Sequence, residues 1–426
     1  MSITFRKSEC NQNYHYQYKD KRLAKIDKMI DDEMIRAFFS NRYPSIQKNK
    51  GRRPLDPVVA YRAHLLYFLK RNIVSFNELP AEVQQKEDYQ QFCRCKGLSF
   101  TAAYLSQFRK ERMTVEIASR LHSQVFKQLR QLTQLTEATE ATEATEASEL
   151  MLLRIGILDS VPMPTYSTPR KKKRCDCKIK KNQKNCGCAK SYSDADAAVG
   201  AQRPTLTRTD KVLGYRKHAV YRIDCQRQQR LPAITEVQPA NIADISVLSE
   251  MIPQIAQHFD LLLVDQAIYD FEKAVDWFEK YRIMIVVKPK KNAKIDNIDL
   301  SETKSPKCEL ADEPLNWSHF DYSDNVNVYR CSKEQCLYQF NCPRQFEYPY
   351  AKHPTIMGFF PFHTRPGRFL LRLRKLIEGE FGVQTLWQKL KSLPFRGLCA
   401  FKLLGQLMDT AKLLQKMAQP HPSGFS

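Results

Sequence analysis

Two aspartates stand at the ends of apolar runs, where a solvated surface acid would be out of place. Asp159 closes LRIGILD and Asp265 closes DLLLVD, each preceded by four apolar residues. A third acid, Glu378, lies in the basic stretch RFLLRLRKLIEGEFG. Carboxylates fixed at strand ends are suited to holding hard divalent cations. Two such ions about 4 Å apart align the attacking and leaving oxygens of a phosphodiester. A single strand ending in Asp is a common turn signal. Two of them on strands expected to be neighbours point more specifically to a metal-dependent nuclease core.

The elements that must position these acids can be read from periodicity. Short strands are predicted near 153–159, 214–224, 230–237, 260–265 and 282–287. Helices are predicted over 243–258, where Ile245, Leu248, Met251 and Ile255 recur at helical spacing, and over 271–280. A meander followed by alternating helices and strands gives a mixed sheet covered by helices, the order of an RNase-H-like core. The predicted fold class is therefore α/β. An all-α N-terminal domain precedes the RNase-H-like mixed sheet, and an insertion comes before the last catalytic helix.

The boundaries follow composition. Residues 1–53 read as a basic arm with one weakly amphipathic stretch at Ile26–Phe39, and 54–135 as a helical domain that either packs or binds DNA ends. That domain opens with Asp56 as N-cap and Pro57 at the first helical position. Further helices are expected after Ser75, through 101–112 and over 114–134. The repeat TEATEATEATEA, within a linker at 136–150, has no apolar face and reads as a solvated spacer. The first part of the core takes 151–290 and carries a basic loop at 165–200. A Cys-containing, partly β insertion takes 291–364, and C-terminal helices complete the core over 365–420, with helical stretches at 368–391 and 396–417.

With 68 Lys+Arg against 46 Asp+Glu, the net charge is +22, a field that favours a polyanion, and nucleic acid is the commonest one. No apolar run reaches the roughly 18 residues needed to span a bilayer, and the N-terminus lacks the apolar core of a signal peptide. A cytoplasmic, nucleoid-associated protein with no membrane partner is expected. The charge peaks at 170–190, where ten basic residues face one acid. Arg170, Lys171, Lys172, Lys173, Arg174, Lys180 and Lys181 are the candidate phosphate contacts there, and binding through them should be strongly salt-dependent. The same loop holds Cys175, Cys177, Cys186 and Cys188. Two readings stay open for these four: a structural Zn2+ site, or free thiols in a basic loop. A looser set, Cys331, Cys336 and Cys342 with Cys308 upstream, reads as small buried side chains in the insertion. His218 reads as a packed or hydrogen-bonded core histidine. Phe362, Arg365 and Arg368 precede the acid-bearing helix and are placed to stack on or clamp DNA.

Several of these stretches resemble the DDE transposases of bacterial insertion sequences. ILDSVP resembles the family's first-aspartate strand, and SYSDADAAVG with GYRKHAVYRID its next strands. LPAITEVQPANIADISVL with LLVDQAIYD resembles the approach to the second aspartate and that motif itself. DPVVAYRAHLLYFL through LSQFRKER resembles the N-terminal helical domain. The third acid of the family sits in a Tyr-x2-Arg-x3-Glu-x6-Lys pattern. Arg374 and Glu378 match it, but Leu371 stands at the Tyr position and Thr385 at the Lys position. Gly379 adds about 1 kcal/mol of helix cost beside the acid. Glu380 is the rival, about 200° around a helix from Glu378, so both cannot face one site.

The resemblance implies a transposase that binds the inverted repeats of its own element as a homodimer on double-stranded DNA. It would cut with two Mg2+ ions, for which Mn2+ can substitute, and join 3′-OH ends to target DNA. Asp159, Asp265 and Glu378 would be both the catalytic residues and the metal ligands, and Arg374 would contact a DNA phosphate. The alternatives are a DDE nuclease without strand transfer and an impaired, transposase-derived DNA-binding protein; the altered residues around Glu378 favour the second.

Overall fold

The computed structural model describes residues 5, 16–43, 54–137, 154–168, 171–173, 190–202, 209–224, 229–290, 292–331, 342–374, 376–390 and 393–419. Helices come first. α1 (Lys21–Asp27) and α2 (Asp32–Phe39) are capped by the side chains of Asp20 and Asp31, and both bury apolar residues. The stretch expected to be a basic arm therefore contains two packed helices, with Leu23, Ile26, Ile35 and Phe39 in the main core. α3 (Pro57–Leu69) starts as expected, with Asp56 accepting from the Val58 N–H and Pro57 in the first turn. It is buried on every side, so its apolar residues show no amphipathic stripe. α4 (Leu79–Gln85) keeps Pro80 in its first turn, where the missing N–H costs nothing. A short α5 (Glu87–Phe92) was not anticipated, since Glu87-Asp88-Tyr89-Gln90-Gln91 offers little apolar pattern. α6 (Ala102–Glu111), capped by Thr101, and α7 (Val115–Glu137) follow. Most of the TEA repeat lies outside the described residues.

The sheet is mixed and flanked by helices. Its strands are β1 (Ile155–Pro164), β4 (Ala198–Gln202), β5 (Asp210–Asp224), β6 (Gln229–Pro239), β7 (Leu261–Leu263) and β8 (Met284–Val286). Between β1 and β4 lie two short strands that pair with each other, β2 (Lys172–Lys173) and β3 (Lys190–Ser191). The order is β4-β5-β1-β7-β8, with β6 also on β5. β5 runs antiparallel to β1, β4 and β6, whereas β1, β7 and β8 are parallel. β5 starts four residues earlier than the periodicity predicts, because 210–214 pair with β4, which the periodicity does not mark although the resemblance makes SYSDADAAVG a strand. The switch of partners falls at Gly214, where a Cβ would lie 2.3 Å from the Met163 carbonyl oxygen.

Strand alternation divides the sheet between two cores. Ile155, Ile157, Tyr221, Leu261 and Leu263 join the N-terminal helices, α10 (Arg365–Arg374), α11 (Leu376–Trp387) and α12 (Leu398–Met417) in one. Leu158, Val220, Leu262 and Val264 join α8 (Asp244–Ile255) and α9 (Phe271–Tyr281) in the other. The insertion folds around its own sheet of β9 (Asn316–Asp321), β10 (Val326–Arg330) and β11 (Gln345–Pro349), ordered β11-β10-β9. Within the stretch expected to be helical over 368–391, helix is described as α10 and α11; Lys375, between them, lies outside the described residues.

α12 packs between the sheet and the N-terminal helices, touching β6, α7 and α3. Its polar residues are buried with it. Lys217 on β5 and Asp409 on α12, both fully buried, form a 2.5 Å ion pair. The Thr235 hydroxyl and the Gln384 amide also donate to Asp409. Such a pair offsets its desolvation only while complete. Asp409→Ala should therefore lower the unfolding free energy by about 3–5 kcal/mol, because it strands the Lys217 ammonium. The double variant Lys217→Met, Asp409→Leu should recover most of that loss, and urea denaturation of the three proteins checks both.

Candidate functional site: an acid pair under the C-terminal helices

The two aspartates are brought abreast by strand register. β1 and β7 pair Ile155 with Leu261, Gly156 with Leu262 and Ile157 with Leu263, a constant offset of 106 residues. The same offset carries Asp159 to Asp265. The chain stays extended beyond β7: the Val264 N–H donates to the Val286 carbonyl at 3.0 Å, and Asp265 has φ −79°, ψ 153°. Two residues on from Ile157 and Leu263, both acids return to the same face of the sheet. That face is the one covered by α10, α11 and α12.

The register is clamped at the other end of the strands. Asp260 and Arg154 are themselves 106 apart, and they bond three ways. The Arg154 N–H donates to Asp260 Oδ2 (3.0 Å), its guanidinium donates to Oδ1 (2.5 Å), and the Asp260 N–H returns to the Arg154 carbonyl (3.0 Å). Burial raises the Asp260 pKa, but the Arg154 contacts outweigh it and hold the carboxyl below its ordinary value.

Asp159 is half-buried and its Oδ1 accepts from the Ser160 N–H at 2.7 Å. Asp265 is half-exposed and caps the turn Gln266–Ile268, accepting from the Gln266 N–H at 2.7 Å. The Arg374 guanidinium, from the end of α10, lies 3.5 Å from Asp265 Oδ1. Two of the residues singled out in the sequence, Asp265 and Arg374, are thus in contact, and the β1–β7 register turns Asp159 to the same face of the sheet. Glu378 lies in α11, and its side chain lies outside the described residues. Among the described residues no group of three or more His, Cys, Asp or Glu is placed to hold a metal ion.

Glu380 has other partners. It is buried and ion-paired with Lys412 and Lys416 of α12 and with Arg230 of β6. Burial raises its pKa, yet Lys412 and Lys416 more than compensate and hold it below the ordinary 4.5. Gln384, one turn on, donates to Asp409 at 2.6 Å, and Gln388 donates to the Met408 carbonyl at 2.9 Å. Glu380, Gln384 and Gln388 thus form one stripe that ties α11 to α12. This stripe was missed in the sequence; its signal is the i, i+4, i+8 spacing of polar residues facing Lys412 and Lys416.

The opposite face of β1 carries a second polar group. Ser160 Oγ donates to Asp244 Oδ2 (3.2 Å), His218 Nε2 lies 2.8 Å from Asp244 Oδ1, and Arg216 reaches the same carboxylate at 3.1 Å. The hydroxyl and the imidazole each bond the carboxylate, so this is not a serine nucleophile activated by histidine. His218 is buried and hydrogen-bonded, as its sequence context implied.

Of the basic loop, Lys171 and Lys172 are exposed, and the Lys171 ammonium lies 5.1 Å from the centre of the Tyr192 ring. Lys173 lies in β2, with its side chain outside the described residues, as are Arg170, Arg174, Lys180, Lys181, Cys175, Cys177, Cys186 and Cys188 altogether. Arg368 is exposed and donates to the His363 carbonyl at 2.9 Å. Cys308 is buried in the insertion core, with Cys331 packed against it. No helix of the described residues is long and apolar enough to cross a membrane.

With this geometry in place, comparison gives one link to known proteins. Residues 11–111 match the family described as a transposase domain (DUF772), which supports a transposase family for the chain. The match spans α1 to α6. No curated protein and no solved structure matches.

Because the Glu380 pKa is lowered in the folded state, its contribution to stability is fully present above the unfolded value near 4.5 and is lost as the pH falls through the lower folded value. The stability difference between wild type and Glu380→Gln should therefore be largest near neutrality and shrink as the pH falls below 4.5, which urea midpoints across that range will read.

Proposed function

We propose that this protein is a DDE-type DNA transposase. It would bind the ends of an insertion sequence in double-stranded DNA, cleave there and join 3′-OH ends to target DNA. The observation that carries the proposal is the shared register of Asp159 and Asp265, with Arg374 beside Asp265, in a chain whose N-terminal helices match a transposase domain. An RNase-H-like core is supported by the strand order: antiparallel β6, β5 and β1 followed by parallel β7 and β8.

The donor set suits magnesium. Asp159 and Asp265 offer hard carboxylate oxygens, and Asp265 is half-exposed. Glu378 is the proposed third ligand, on the sequence pattern alone. When bound, two Mg2+ ions would activate the attacking hydroxyl and stabilise the leaving oxygen. The chain's own residues hold the reacting strand. Arg374 can exchange its contact with Asp265 for a DNA phosphate, a charge-assisted bond of the same kind. Arg368 and the lysines of the 170–190 loop add phosphate contacts. The site works on a homodimer assembled on DNA, in the cytoplasm, and the four loop cysteines remain a proposed zinc staple.

A second reading is a transposase-derived protein that binds DNA without cutting it. The 3.5 Å contact between Arg374 and Asp265 favours it, since a cation on that acid neutralises it without metal. Incubating supercoiled DNA that carries the element's own end with magnesium separates the two readings. Cleavage by wild type that disappears in Asp265→Ala and Asp159→Ala supports the transposase. Binding without cleavage, in manganese as well, leaves the second.

A further inference from the structure

A ladder of cations and rings runs along the seam between the N-terminal helices and the C-terminal segment. It starts at Lys389, whose ammonium bonds the Ile73 carbonyl and lies 4.0 Å from the centre of the Tyr67 ring. Tyr67 stacks on Phe76 with centroids 3.9 Å apart. The Arg109 guanidinium sits over Phe76 at 5.2 Å and over Phe395 at 4.3 Å. Arg396 follows directly; its Nε donates to the Tyr166 carbonyl at 2.7 Å, and its guanidinium lies 6.0 Å from the Tyr166 ring centre. Tyr166 is 69% exposed.

Acids do not neutralise the upper half of this ladder. Among the described residues neither Arg109 nor Arg396 forms an ion pair, and burial alone brings Arg109 down to about 10. His64 lies 3.3 Å from Arg109 and is held neutral by burial and by the Arg109 charge, with its pKa lowered to about 3. Glu78 acts on Lys389 and Tyr67 at the lower end of the ladder, and the acids beside Arg396 bond other groups. Asp194 accepts from the Thr165 and Tyr215 hydroxyls and the Gly397 N–H, and Asp196 accepts from the Leu398 N–H. A guanidinium laid on a ring keeps its edge N–H groups for another acceptor, and a planar array of such donors fits phosphate. Past Tyr166 the surface continues to the exposed Lys171 and Lys172.

We propose that the exposed end of this seam, Arg396 and Tyr166 with Lys171 and Lys172, backed by the largely buried Arg109 and by Phe395, is a sequence-independent docking surface for the phosphate backbone of duplex DNA. It rests on the nucleic-acid part of the reading above and not on cleavage. The occupant follows from charge: a chain of net charge +22 presents, at this seam, the exposed Arg396, Lys171 and Lys172, and among the described residues Arg396 forms no ion pair. Its place follows from β1. Tyr166 lies seven residues beyond Asp159, at most about 23 Å along an extended strand, or roughly seven base pairs at 3.4 Å each. DNA with a phosphate at the acid pair would reach the seam within one helical turn.

The test is fluorescence anisotropy of a labelled random-sequence duplex of about 30 base pairs, titrated over a salt series. Wild type is compared with Arg396→Ala, Arg396→Glu and Tyr166→Ala, each checked for an unchanged thermal midpoint. Arg396 and Tyr166 are exposed, and Arg396→Lys serves as the charge-conserving control. Removing Arg396 should weaken binding, lower the slope of log K against log salt by about 1, and do so equally for unrelated sequences. Arg396→Glu should weaken binding further, and Arg396→Lys should restore most of the slope. Unchanged affinity and slope in Arg396→Glu overturn the proposal. So does a wild type that binds single strands or anionic vesicles but not duplex. If the seam variants lose affinity while no magnesium-dependent cleavage is ever seen, the surface stands and the catalytic reading fails. If they bind as wild type while cleavage proceeds, the surface fails and the catalytic reading stands.

Discussion

The candidate site depends on one register. Arg154 and Asp260 lock the starts of β1 and β7 together, and every pair along those strands keeps the same offset of 106. Five residues further on, that offset sets Asp159 beside Asp265. A slip by one residue would turn one of the two acids to the opposite face of the sheet, where Ser160 already meets Asp244 and His218. The apolar cores on both faces oppose that slip, since it would also expose Ile157 or Leu263 to the wrong layer.

The cover over the acids is held by a different kind of interaction. α12 is wedged between the sheet and the N-terminal helices, and it carries Asp409, Lys412 and Lys416 into contact with Lys217, Glu380 and Gln384. These bonds fix α11, the helix of Glu378, through the stripe that begins two residues later. The Tyr221 ring lies between the layers. Burial pushes its hydroxyl well above its ordinary value, and so do the charges of Asp409, Glu380 and Asp159. The helices matched to a transposase domain share one continuous apolar core with the sheet, so the N-terminal part and the acid pair are mechanically one body.

Much of this was legible in the sequence. The apolar runs ending in Asp159 and Asp265 marked adjacent strands because buried strands need continuous hydrophobicity, and Asp56-Pro57 marked a helix start to the residue. Other parts were not. β4 is five residues of Ala, Val, Gly and Gln, without a periodicity of its own, so that only the resemblance marked it; it pairs with β5 where β5 extends past Gly214. Glu380 looked like a rival ligand because its partners, Lys412, Lys416 and Arg230, are distant in sequence and meet it only in the fold. The cation–aromatic seam was invisible for the same reason: Arg109, Phe395 and Tyr166 come from three separate parts of the chain.

The central claim is that Asp159 and Asp265 form one metal-binding unit. Titration of the intact protein with Mn2+, followed by the loss of the free-ion electron paramagnetic resonance signal, tests it most directly. Wild type should take up Mn2+, and Asp159→Asn and Asp265→Asn should each abolish or sharply weaken that uptake while keeping the thermal midpoint. Uptake unchanged in both variants, or none in wild type with DNA present, would contradict the account.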